Sequence, residues 1–186
     1  MSWSYDDDAH VYRLGPKIIP GSTDILKDAG FQYPPGNMEM GRAVHMATQF
    51  DDEGVLDPAT VTDDVFGYLE AWRVFRRDTG FESDRIEEPN VNVALAFGAV
   101  LDREGCWHRG KRRVLVELKK YSPPYFTGLQ LALQDLTLPA VTLPRDRIAV
   151  QLNADAPYAI HEYNDRNERN LALALVSLYW FKRNGR

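Results

Sequence analysis

The chain has a single cysteine, Cys106, which excludes an internal disulfide framework, a Cys-based zinc site and a Cys-ligated iron–sulfur cluster. Long apolar runs are missing too, since no stretch reaches the ~18–20 uncharged residues that cross a bilayer. The longest run near an end, Leu171 to Phe181, follows Arg166, Glu168 and Arg169 and reads as a buried helix. The opening MSWSYDDDAH has neither the basic nor the apolar region of a secretory signal, so a cytoplasmic location with no membrane partner is expected. No Walker A loop, Rossmann glycine fingerprint or Ser/His/Asp arrangement is present, which leaves P-loop hydrolysis and acyl transfer without support. Positive charge is also short. With 22 Lys and Arg against 27 Asp and Glu, the net charge is −5, which disfavours a passive basic nucleic-acid coat.

What is present is a chain of 186 residues, 44% of them hydrophobic, enough for one soluble domain with a sizeable core. Residues 1–9 are acidic and unpatterned and are expected to be a loose, disordered end, with a single domain over 10–186. His10 to Ile19 reads as two short strands around Leu14–Gly15–Pro16, and Thr23–Lys27 as a short helix ended by Gly30. Asn37 can cap a helix to about Phe50, with Met40, Val44 and Ala47 on one side and Gly41, His45 and Gln49 on another. Thr62 caps a core helix with Val65, Leu69, Trp72 and Phe75 inward and Gly80 at its end. From Glu87 to Lys120 the pattern turns to β, with Val91, Val93, Leu95 and Phe97 alternating, then GAVLD, then VLVELKK. A helix from about Thr127 carries Leu129, Leu133 and Leu136 on one side and Gln130 and Gln134 on the other. A further hairpin, RIAVQL with YAIHEY, and a closing helix from Asp165 complete a mixed α/β domain, a sheet covered by helices.

Within this order Asp102, Glu117 and Lys119 form the constellation that can carry chemistry. An acid-x-Lys triplet alone means little in so acidic a chain, where roughly one is expected by chance. Context adds to it. A two-residue turn at Arg109–Gly110 sets Asp102 across from Glu117, at a Cβ spacing of ~5 Å, with Lys119 on the same face. On the other face Phe97, Ala99 and Leu101 would meet Val114, Val116 and Leu118. Two carboxylates so placed repel unless a hard divalent cation lies between them, and oxygen ligands suit Mg²⁺ or Mn²⁺. A lysine alongside can orient or help deprotonate a water and offset charge developing on a phosphoryl group. The same trio can also be a solvent-facing network, Asp102 and Glu117 balanced by Lys119 and Arg113. A turn at Glu104–Gly105 would instead move Asp102 away from Glu117. Seven cations, Arg103, Arg109, Lys111, Arg112, Arg113, Lys119 and Lys120, fall within positions 103–120 beside only Glu104 and Glu117, which forms either a cationic patch or a solvated face.

These residues resemble a known family. FGAVLDREG, then VLVELKK, then GLQLALQ is similar to the core of the PD-(D/E)XK nuclease superfamily, in its RecB-type and phage exonuclease branches. Upstream, MGRAVH resembles that branch's G-x-x-x-H helix, and HVYRLGPKIIPGSTDIL its N-terminal hairpin and helix; the likeness runs from about His10 to the last helix. It implies a restriction-endonuclease-like core, a mixed β-sheet flanked by α-helices. It further implies Mg²⁺ or Mn²⁺ held by Asp102 and Glu117, with the Leu118 carbonyl completing the shell and His45 either a further ligand or the holder of a metal-bound water, with Lys119 acting on the water and Gln130 steering Lys119 or a phosphate. Glu88 stands where relatives carry an acid before the first strand, and the adjoining Glu87 is the alternative for that place. Two positions depart from the pattern: Gln134 replaces a frequent Tyr, and Lys120–Tyr121 a frequent Thr-Gly. No iron–sulfur cluster is implied.

The resulting expectation is a divalent-metal-dependent DNase, an exonuclease by resemblance, acting on DNA in phage or bacterial recombination, replication or repair, with a recombination or replication protein as a candidate partner. The alternatives are a non-catalytic relative that binds DNA ends or a partner, and a structural phage protein. Tyr121 and Tyr125 flank the site and can stack on a base or pack a turn, and Arg113 and Lys120 are candidate DNA contacts. His10, His108 and His161 read as surface or hydrogen-bonded histidines.

Overall fold

Alternation, caps and breakers along the chain resolve into two sheets and five α-helices in a computed structural model, which describes residues 2–33, 35–36, 38–108, 110–155 and 158–184. Three short antiparallel strands, β1 (Trp3–Asp6), β2 (Val11–Leu14) and β3 (Lys17–Ile19), form the first sheet. The expected loose N-terminus is therefore partly a strand. Its W-S-Y-D alternation turns Tyr5 onto Tyr12, with ring centroids 4.6 Å apart, and the Tyr5 hydroxyl meets His10 Nδ1 at 2.8 Å. Helix α1 (Ser22–Asp28) follows, then α2 (Met38–Asp52) and α3 (Asp63–Thr79). The proposed cap Asn37 lies outside the described residues. Thr62 occupies the N-cap of α3, and Gly80 ends that helix at φ +63, where a side chain would be strained.

The second sheet has the order β4 (Glu82–Asn92), β5 (Phe97–Trp107), β6 (Arg112–Lys119), β7 (Asp146–Leu152), β8 (Tyr158–Glu162). All neighbours are antiparallel except β6 and β7, which run parallel because α4 (Thr127–Thr137) carries the chain back between them. Helix α5 (Arg166–Asn184) closes the chain. The fold is mixed α/β, a five-stranded mixed sheet with helices on both faces.

The β5/β6 ladder pairs Arg103 with Val116 and Trp107 with Arg112, the register that a turn at 109–110 requires. Arg109 itself lies outside the described residues; Gly110 has φ +78. Glu104 and Gly105 lie inside β5, so the alternative turn does not occur. Two expectations fail nearby. Val93 and Leu95 are not in a strand, because the Asn92 side chain accepts the Leu95 amide at 2.9 Å and Ala96 takes φ +51, an Asx-type turn that overrides the alternation. The apolar residues of the hairpin also divide between two cores. Val114, Val116 and Leu118 pack with Val44, Trp72 and Phe75 of α2 and α3. Leu101 instead joins Leu115, Leu131 and Leu138, and Phe97 joins Leu133, Ala172 and Val176, on the side of α4 and α5. The face holding Glu117 is thus covered by a helix rather than open to water.

Candidate metal centre

Helix α2 turns Val44 and Ala47 into the core, and this sets His45 toward a cleft of about 810 Å³ between the small sheet and the edge of the large one. Between the ladder pairs Ile86–Arg103 and Glu88–Leu101 lie Glu87 on β4 and Asp102 on β5. Glu87 has φ +45, a conformation that non-glycine residues seldom take and that strains the backbone where function or packing holds it. Its carboxylate accepts from His45 Nδ1 at 3.2 Å, and Asp102 Oδ1 lies 3.8 Å from the same nitrogen. One ligand atom from each of His45, Glu87 and Asp102 falls within 4.8 Å of the others, a spacing that can hold a metal ion. Asp102 is buried and fixed from behind, its Oδ2 accepting the Leu118 amide at 2.7 Å.

Glu117 is not in that set. It is buried beside it, with Oε1 accepting from Lys119 Nζ and Gln130 Nε2, both at 2.6 Å, and Oε2 from Gln134 Nε2 at 2.8 Å. Gln130 and Gln134 lie one helical turn apart on α4, so both amides reach the same carboxylate. The open, solvent-facing network is thereby excluded. Arg113, expected to balance it, instead binds Glu104 and Asp84.

The electrostatics follow from crowding acids out of water. Burial alone would push the His45 imidazole down, but Asp102, Glu87 and Glu117 outweigh it and hold it at about 9. Burial and the neighbouring Glu117 raise Asp102 to about 7. Glu117 is held below its ordinary range against the effect of burial, because Lys119 and the Gln134 amide favour the anion. Lys119 is likewise raised: burial opposes its charge, and the Glu117 and Asp102 carboxylates more than restore it. The site therefore favours a protonated His45 and a charged Lys119 when no cation balances the acids.

A divalent ion fits this donor set on two counts. One imidazole nitrogen and two carboxylates suit an ion that prefers oxygen and tolerates nitrogen. In addition, Gln130 Oε1 and Gln134 Oε1, which belong to two of the residues lining the cleft, are buried acceptors without a protein donor, as suits waters around a hydrated cation.

Several expectations shift. Glu87, not Glu88, faces the group; Glu88 turns away to Arg85. Leu118 meets Asp102 through its amide. Arg103 leaves the supposed surface patch altogether, being fully buried, with its guanidinium donating to Asp52 Oδ2 at 2.6 Å, Glu87 Oε1 at 2.7 Å and the Asp102 carbonyl at 2.6 Å. Sequence reading named Glu87 only as the neighbour of Glu88 and missed Arg103 and Gln134 as parts of the site, and only the placement of Gln130 and Gln134 four residues apart hinted at the last. Tyr33 was missed also; its ring lies 5.8 Å from Lys119 Nζ. Tyr121 and Tyr125 are exposed, the former with Lys120 Nζ 4.6 Å from its ring. His161 bonds Gln151. Among the described residues, no helix is long and apolar enough to cross a membrane. No protein-family model matches the chain, and neither does any curated protein with which it was compared.

Proposed function

We propose that the chain is a Mg²⁺- or Mn²⁺-dependent DNA nuclease built on a restriction-endonuclease-like core, with β4, β5, β6, α4 and β7 as that core. The observation that carries this reading is the His45, Glu87 and Asp102 donor set lying against a buried Lys119–Glu117 pair. When bound, the cation supplies Lewis acidity that acidifies water and offsets charge on a phosphoryl group. His45, Glu87 and Asp102 hold it, so His45 must give up its proton on loading. Lys119, charged in this setting, serves as a positive group for the phosphorane-like transition state and an orienting donor rather than a base. Glu117 keeps Lys119 in place and is itself clamped by Gln130 and Gln134. Arg103 anchors Glu87 and the Asp102 backbone from the core side. Action in phage or bacterial recombination, replication or repair, with exonuclease polarity, belongs to the resemblance.

A second reading has one observation in its favour. Both Glu117 oxygens are hydrogen-bonded by protein donors and Glu87 is paired with Arg103, an internal satisfaction of the acids that suits a relative that binds DNA ends or a partner protein without cutting. Incubation with end-labelled linear and circular DNA separates the two. Mg²⁺- or Mn²⁺-dependent cleavage that Asp102→Asn reduces by several orders of magnitude, with the fold retained by circular dichroism, is the expected result. Full activity of purified Asp102→Asn would rule out the assigned centre.

A further inference from the structure

The cleft at the metal group offers a polyanion no surplus of positive charge, because Asp7, Asp24, Glu87 and Asp102 line it against Lys27, Arg42 and His45. Affinity for a phosphate backbone has to come from elsewhere on a molecule of net charge −5. At the opposite end of β6 a second cleft, of about 800 Å³, is lined by Arg112, Arg145, Arg147, Arg166 and Arg169. It lies among the starts of β6, β7 and α5, the C-terminal end of α4 and the loop 138–145. The Arg145 and Arg147 side chains, 6% and 8% exposed, lie deep in it, and Arg112, Arg166 and Arg169 are exposed around it.

Carboxylates only partly neutralise this set. Asp135 is shared by Arg145 and Arg169, Glu168 takes Arg147, and Asp146 takes Arg112. Arg145 also shares Glu104 with Arg113, which leaves a surplus of guanidinium. Burial holds Arg147 below its ordinary range despite Glu168 and Asp135, as expected of an under-compensated cation. Across the loop 138–145, Lys111, Arg112 and Arg113 line a neighbouring cleft that has no acid among its described residues. Guanidinium is a planar fork matched to phosphate oxygens, and its charge is permanent.

We propose that the arginine-lined cleft is a metal-independent docking site for the phosphate backbone of a nucleic acid, remote from the metal group. The identity of the polyanion rests on the nuclease reading above. From Arg112 to Lys119 the strand spans about 23 Å, a distance that an oligonucleotide of twenty residues exceeds.

Fluorescence anisotropy with labelled 20-nucleotide single strands and duplexes, in EDTA, tests docking without cleavage. Arg166→Glu with Arg169→Glu should weaken binding at least 10-fold and reduce the salt slope by about 1.4–1.8 for two lost contacts. Arg13→Glu with Arg77→Glu, an equal change of charge at exposed positions that do not line this cleft, should stay within about threefold of the parent. If the reversals disturb folding by circular dichroism, Arg166→Gln with Arg169→Gln should still weaken binding, by a smaller factor. No binding by the parent in EDTA, or equal weakening by both reversed pairs, overturns the site. Displacement of DNA by polyglutamate as effective as by unlabelled DNA would make the cleft an acidic-peptide site and also overturn it. Loss of the nuclease reading would appear separately, as absent cleavage by a parent that still docks DNA through these arginines.

Discussion

At the residue scale, the metal group stores its chemistry in displaced protonation equilibria. His45 at about 9 and Asp102 at about 7 both favour the protonated form in the fold. For His45, raised from 6.5, the stabilisation is complete below pH 6.5 and is lost as pH climbs through 9. For Asp102, raised from 3.8, stability likewise falls as pH rises from about 4 through 7. Glu117 works in the opposite sense and loses its contribution only as pH falls through its lowered value. The metal-free protein should therefore soften between pH 6 and 9, while Mn²⁺ affinity rises over the same range because fewer protons compete. Thermal melts with and without Mn²⁺, together with calorimetric titration at pH 6, 7.5 and 9, check both trends; affinity independent of pH would remove His45 from the ligand set. Arg103 offers a second test. Replacing it with Leu leaves Glu87 without its guanidinium partner and takes one of the cations from buried Asp52, which keeps Arg76 at 2.7 Å. A loss of about 3–5 kcal/mol in urea unfolding is expected, as for a broken buried pair.

At the scale of elements, two glycines make opposite demands. Gly105 lies where β4 and β5 shift register between Ser83 and Arg85, and a Cβ there would stand 2.0 Å from the Glu82 carbonyl oxygen. Backbone cannot give way cheaply, so Gly105→Ala should cost about 2 kcal/mol or more. Gly41 in α2 has open space around it, and Gly41→Ala should stabilise by about 0.5–1 kcal/mol. Paired denaturant melts of the two variants decide this; destabilisation by Gly41→Ala would mean that α2 is held by more than its apolar stripe. The same helix illustrates how the element serves the site, since the turn that buries Val44 is the one that presents His45.

At the scale of the whole molecule, the small sheet forms a wall of the metal-group cleft and meets the large sheet at a close contact. The Gly98 amide donates to the Pro20 carbonyl at 2.9 Å, and a Cβ on Gly98 would come within 2.2 Å of the buried Tyr12 ring. Gly98→Ala should therefore loosen the joint between the sheets, at a cost of about 1–3 kcal/mol. Combined with Tyr12→Ala, which removes the ring, it should cost less than the two single changes together. Strict additivity in a thermodynamic cycle would show that the two residues do not press on each other. Charge is organised at this scale too, with acids around the metal group and arginines at the far end of β6.

The amino-acid order was enough to specify the local pieces. The caps and stops at Thr62 and Gly80, the strand pairs on either side of Gly15, the 103-to-116 register of β5 and β6 and the Gln130/Gln134 side of α4 all follow from periodicities of two or 3.6 and from turn chemistry, which act between near neighbours. The N-terminal strand and the Asn92–Ala96 turn escaped because single side chains, Tyr5 on Tyr12 and Asn92 on the Leu95 amide, decided them against the surrounding pattern. What only the tertiary structure determined was the company of each charged group. Alternation puts Glu117 and Asp102 on one face, but it was the packing of α4 that turned Glu117 to Gln130 and Gln134. The left-handed backbone at Glu87 is accompanied by a register that sets this residue, and not Glu88, beside His45. Arg103 and Arg113 look alike in a cationic run, yet one is buried against Asp52 and the other sits near the surface with Glu104 and Asp84. Burial and long-range pairing depend on which helix covers which face, and that choice is made by the summed core contacts of residues far apart in the chain.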